Sequence, residues 1–137
     1  MSGTEALVLD ASAVVELLAV GRTDPALLDR VESARSLHAP HLVDVEVLHV
    51  LRRLARGGAL GTDAANDARR GLDQLGLIRY PHVGLTDRMW DLRHSIPAYD
   101  AAYVALAELL ACPLATADAR VAKAGGHRAQ VEVYGGS

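Results

Sequence analysis

Glu5-Ala6-Leu7-Val8-Leu9-Asp10-Ala11-Ser12 is a short apolar run that ends abruptly in a carboxylate. Leu7, Val8 and Leu9 show no polar alternation, the pattern of a strand covered on both faces. Asp10 then falls where the chain leaves the sheet, the edge at which ligands of open α/β sheets collect. The same residue, or Ser12, would serve equally well to cap a helix starting near Ala13. Asp10 gains interest because three further acids fall in comparable places.

Working outward, Ser12 to Val20 is apolar at nearly every position except Glu16, which predicts a buried helix stopped at Gly21. Asp24-Pro25 caps a second helix through Leu27, Leu28 and Val31, and the chain turns at Ser36. Leu37-His38-Ala39 is a strand or a connection. Pro40 opens a helical pattern from Leu42 to Arg56, with Arg52, Arg53 and Arg56 crowding its last turns before Gly57-Gly58. Thr62 to Leu75 is helical and Leu77 to Pro81 strand-like, while Leu85 to Ile96 is helical up to the break at Pro97. Tyr99 to Ala111 is the most apolar helix, followed by a strand at Pro113 to Thr116 and a short helix from Asp118 to Ala124. Val131 to Tyr134 is a last strand before a Gly-Gly-Ser tail. Strands separated by helices predict a three-layer α/β/α sandwich around a mostly parallel sheet.

The bulk numbers bound the answer. A chain of 137 residues supports one domain with a real core, spanning residues 1–137. Half the residues are hydrophobic and 23% are charged, the balance of a folded globule. Leu109 to Ala117, the longest uncharged apolar stretch, is far too short to span a bilayer, and no basic leader precedes the first apolar run. A cytoplasmic protein is expected. Cys112 is the only cysteine, which argues against disulfides and thiol zinc sites. The net charge of -3 argues against a protein that coats nucleic acid non-specifically.

The other acids are Glu46, Asp100 and Asp118. Glu46 has Leu42, Val43, His49 and Val50 as helical neighbours, a largely apolar face on which an unpaired charge is costly. Asp44, at the start of that helix, suits the macrodipole and reads as structural. Asp100 heads the apolar helix and shares its face with Tyr103, Val104 and Ala107. Asp118, like Asp10, follows directly on a strand, and like it would also serve as a cap. All four reach one sheet edge if the fold is as inferred. Such a cluster is unfavourable without a cation, and oxygen donors without thiols select hard ions such as Mg2+ or Mn2+. Ions of this kind activate water against phosphodiesters.

Val8-Leu9-Asp10-Ala11-Ser12, the Glu46 helix, Tyr99 to Ala107 and Leu114-Ala115-Thr116-Ala117-Asp118 together resemble the PIN-domain family. More narrowly they resemble the VapC ribonuclease toxins of bacterial type II toxin-antitoxin systems. The resemblance implies a five-stranded parallel sheet in the order 3-2-1-4-5 and a Mg2+- or Mn2+-dependent endoribonuclease. It also implies a homodimer held inactive by a small VapB-like antitoxin. Asp10, Glu46, Asp100 and Asp118 would be the catalytic, metal-holding acids, supported by the hydroxyls of Ser12 and Thr116. Many members place a further acid shortly after the fourth. Here Ala119, Arg120 and Val121 follow, which puts a full second metal site in doubt.

Other readings use the same residues. Glu46-Val47-Leu48-His49 has the Glu-x-x-His spacing of di-iron helical bundles, with Asp91-Leu92-Arg93-His94 an imperfect second copy, although such bundles lack strands. A PIN-like binding module would use the four acids only as caps. A structure-specific DNA nuclease would use the same metal chemistry. His38, His41, His82 and His127 have no carboxylate at ligand spacing and read as structural or surface groups.

Overall fold

The computed structural model describes residues 6–19 and 23–135. The expected helix stop at Gly21 and the end of the tail at Gly136 and Ser137 lie outside the described residues. The elements are β1 (Ala6–Leu9), α1 (Ala11–Leu18), α2 (Pro25–Ser33), β2 (Ser36–Pro40), α3 (Val43–Arg56) and α4 (Thr62–Gln74). They continue with β3 (Leu77–Tyr80), a 3-10 turn (His82–Gly84), α5 (Thr86–Asp91), α6 (Ala98–Leu110), β4 (Leu114–Thr116), α7 (Ala119–Lys123) and β5 (Val131–Val133).

The five strands form one parallel sheet in the order β3-β2-β1-β4-β5. β1 is central, as its unbroken apolar run requires. Successive strand residues point to opposite faces, yet Leu7, Val8 and Leu9 are all fully buried, so helices cover both sides of this strand. Burying each such side chain contributes about 1.5–3 kcal/mol. α6 lies against β1, β2 and β4 and is buried continuously from Ala101 to Ala107, while α1, α3 and α4 pack on one another.

Strand order reverses at β1, because the chain moves outward to β2 and β3 and then returns to the other side as β4 and β5. The carboxyl ends of β1 and β4 therefore stand side by side at a topological switch point. Val8 pairs with Leu114 and Leu9 with Ala115, and the Asp10 amide donates to the Ala115 carbonyl at 3.2 Å.

Three boundaries differ from expectation. Ser36 begins β2 instead of turning the chain, and Pro40 ends that strand as the residue paired with Tyr80, so helix α3 waits until Val43. The helix expected from Leu85 to Ile96 is only α5, with a 3-10 turn before it and hydrogen-bonded turns after Asp91. Pro97 disfavours helical geometry at Ile96, so the turns after α5 do not run on into α6, whose N-cap Pro97 takes in extended conformation (ψ 155°).

Candidate active site

Asp10 is both a cap and a buried acid. Its Oδ1 accepts from the Ala13 amide at 2.9 Å, which closes the first turn of α1, and from Ser12 Oγ at 2.6 Å. Its Oδ2 accepts from the Thr116 hydroxyl on β4. Ser12 Oγ lies 3.2 Å from Thr116 Oγ1 and accepts from the Ala117 amide at 2.8 Å, while Thr116 Oγ1 accepts from the Asp118 amide at 3.0 Å. The two hydroxyls thus lock the end of β1 to the end of β4 around one carboxylate.

The remaining acids arrive from three other elements. Asp10, Glu46 of α3, Asp100 in the first turn of α6 and Asp118, the N-cap of α7, line one open cleft of about 760 Å³. Ser12, Glu16, His49, Arg53, Tyr99, Tyr103 and Arg120 share its walls. The four acids selected from the sequence are therefore brought together, with Ser12 beside them and Thr116 buried behind Asp10.

The acids sense one another. Burial pushes the Asp10 carboxyl up to about 6, the hydrogen bonds from Ser12, Thr116 and Ala13 oppose that rise, and the charge of Asp100 adds to it. Asp100 is raised by burial and by Asp118, and Glu46 by burial and by Asp100. Asp118 goes the other way because Arg120 grips both its oxygens, at 3.0 Å from Nε to Oδ1 and 2.7 Å from Nη2 to Oδ2. Tyr103 donates to Glu46 Oε1 at 2.7 Å, and its phenol is held far above its usual range by burial and by these carboxylates.

Donor chemistry fits a hard divalent ion: the polar groups at the centre are carboxylates and hydroxyls, and Cys112 lies outside the cleft. Among the described residues no three His, Cys, Asp or Glu side chains already stand around one point as ligands. For Asp118 to join in holding an ion it would exchange its contact with the exposed Arg120 for the cation.

Tyr103 and Arg53 were not selected from the sequence, although their spacing was visible. Tyr103 follows Asp100 by three residues, and His49, Val50 and Arg53 follow Glu46 by three, four and seven, which places each set on one helix face. Asp44 points elsewhere and pairs bidentately with Arg79, with both contacts at 2.7 Å. His38 bridges Tyr80 and Ser36, His82 accepts from the Leu42 amide, and His127 accepts from the Ala129 amide, all structural tasks. Asp91 and His94 are exposed and outside the cleft, and the parallel sheet removes the di-iron bundle reading.

The sequence matches the family described as the PIN domain over residues 7–126. The chain belongs to the PIN-domain family. Among PIN-domain relatives, Ribonuclease VapC9 of Mycobacterium tuberculosis is 46% identical over 122 residues, covering 87% of this chain and 91% of that protein. Two solved structures share the fold at lower identity. PAE2754 from Pyrobaculum aerophilum superposes with a TM-score of 0.69 at 22% identity, covering 95% of this chain and 85% of that one. A chain of VapBC2 from Rickettsia felis, bound to a DNA fragment from their promoter, gives 0.67 at 11% identity, covering 94% and 98%.

Proposed function

We propose that this PIN domain is a divalent-metal-dependent endoribonuclease of the VapC kind, the toxin of a toxin-antitoxin pair. The observation that carries the reading is the convergence of Asp10, Glu46, Asp100 and Asp118 in one cleft, in a chain 46% identical to a protein named Ribonuclease VapC9. The four carboxylates would hold Mg2+ or Mn2+, which supplies activation of water and charge stabilisation on the phosphodiester.

The chain's own residues prepare that chemistry. Ser12 and Thr116 fix the orientation of Asp10 and favour its ionised form against the cost of burial. Tyr103 fixes Glu46 in the same way. Asp100, whose carboxylate has no hydrogen bond among the described residues, is the member freest to turn toward a cation, and its charge and those of the other three acids act on one another.

A small antitoxin and a second copy of the chain are the expected partners. Support comes from the VapBC2 likeness and from Leu28, Val45 and Leu48, exposed apolar residues on α2 and α3 over which an apolar segment would lie. Mass measurement in solution reads the dimer, and copurification with the product of an adjacent small gene reads the antitoxin.

Incubation with total RNA in Mg2+ or Mn2+, against EDTA, tests the activity. Discrete RNA fragments only with metal are expected. Metal-independent cleavage, cleavage of DNA alone, or no cleavage by inhibitor-free protein would each overturn the assignment.

A further inference from the structure

A cleft built from carboxylates repels the polyanion it is proposed to cut, so the strand needs cations on its approach. The cleft walls carry two arginines. Arg120 stands at the end where the acids converge, against Asp118. Arg53 is exposed, and its guanidinium has no partner among the described residues.

Arg53 sits on the face of α3 that carries Glu46, His49 and Val50, all of which line the same cleft. Seven residues of helix place it about 10 Å from Glu46 along the axis, which separates it from the phosphate beside the acids but not from a neighbouring one. Its rigid fork of donors matches phosphate oxygens bidentately. His49 lies between, and its charge opposes the rise of the Glu46 carboxyl, so α3 grades from acid to base along the cleft.

We propose that Arg53 is a positioning residue that binds a backbone phosphate of the RNA next to the scissile one and sets the direction in which the strand lies along α3. The proposal rests on the ribonuclease reading. It gives the two ends of the cleft different tasks: the α6 and α7 end holds the reacting phosphate, and the far end of α3 holds the strand.

The test uses the whole chain and an RNA segment taken from whichever cellular RNA it cuts, with KM and kcat measured over a range of salt. Arg53→Ala is expected to raise KM about tenfold, as lost phosphate contacts do, and to lower the slope of log(1/KM) against log salt by about 0.7. kcat and the Mg2+-induced rise in Tm should stay at the parental values, and Arg53→Lys should restore the slope. Arg56→Ala, also exposed on the last turn of α3 but outside the cleft, is the matched control and should change nothing. An unchanged KM and salt slope in Arg53→Ala would overturn this proposal alone, as would a fall in kcat at constant KM. A parent that cuts no RNA would take down the ribonuclease reading and this proposal with it.

Discussion

At Asp10 a helix cap and a cleft acid are the same carboxylate, and its proton equilibrium records the conflict. Burial raises it from 3.8 to about 6 despite three donors, with Asp100 adding its charge across the cleft. Below pH 4 the carboxyl is protonated in both folded and unfolded chains and contributes nothing. Between about 4 and 6 the unfolded chain ionises first, so stability falls as pH rises, by roughly 3 kcal/mol in total. Glu46 and Asp100 are raised as well and steepen the same slope. In EDTA, the loss of urea midpoint between pH 4.5 and pH 7 should be smaller in Asp10→Asn than in the parent, the comparison cancelling His38, which burial lowers and which slopes the other way. An unchanged pH profile in that variant would mean that Asp10 ionises freely in the fold.

Helix α3 shows how spacing sorts carboxylates at the scale of an element. Asp44 and Glu46 are two residues apart, hence about 200° around the helix, and one meets Arg79 while the other meets Tyr103. Asp44→Asn should therefore leave cleavage at the parental rate and cost at most about 1 kcal/mol, since the pair is partly solvated. Glu46→Gln keeps an acceptor for Tyr103 yet should lower kcat/KM by roughly 100-fold or more, the scale on which even outer partners of a metal ligand act. Parallel rate measurements on the two variants decide it. Much of this was legible beforehand: β1 from its unalternating Leu7-Val8-Leu9, α6 from its apolar length, and the acids from their places at element ends. Whether Asp10 and Asp118 cap a helix or face the cleft was not, because each carboxylate does both and sequence offers them as alternatives. Nor was the short α5, since apolar spacing at Leu85, Met89 and Leu92 persists through turns that keep the same side chains inward. The partnership of Arg120 with Asp118 was equally hidden, as a charge two residues away says nothing of its rotamer.

For the molecule as a whole, four like charges drawn from four elements oppose the packing that assembles them. Asp100→Asn should leave the metal-free protein at least as stable as the parent, because it removes the charge felt by Asp10 and Glu46. Mg2+ at about a hundred times its dissociation constant should stabilise the parent by roughly 2.7 kcal/mol and the variant far less. Thermal melts with and without Mg2+ measure both effects, and equal stabilisation of the two proteins would remove Asp100 from the site. The bond between Thr116 and Asp10 spans 106 positions of sequence. A ribosome adding about 5–20 residues per second needs roughly 5–20 s to travel that far, so a chain under synthesis carries Asp10 long before it carries Thr116, Asp100 or Asp118. The cleft is therefore complete only when synthesis is nearly finished, and a message cut short before β4 yields a chain without Asp118 and without the hydroxyl that orients Asp10.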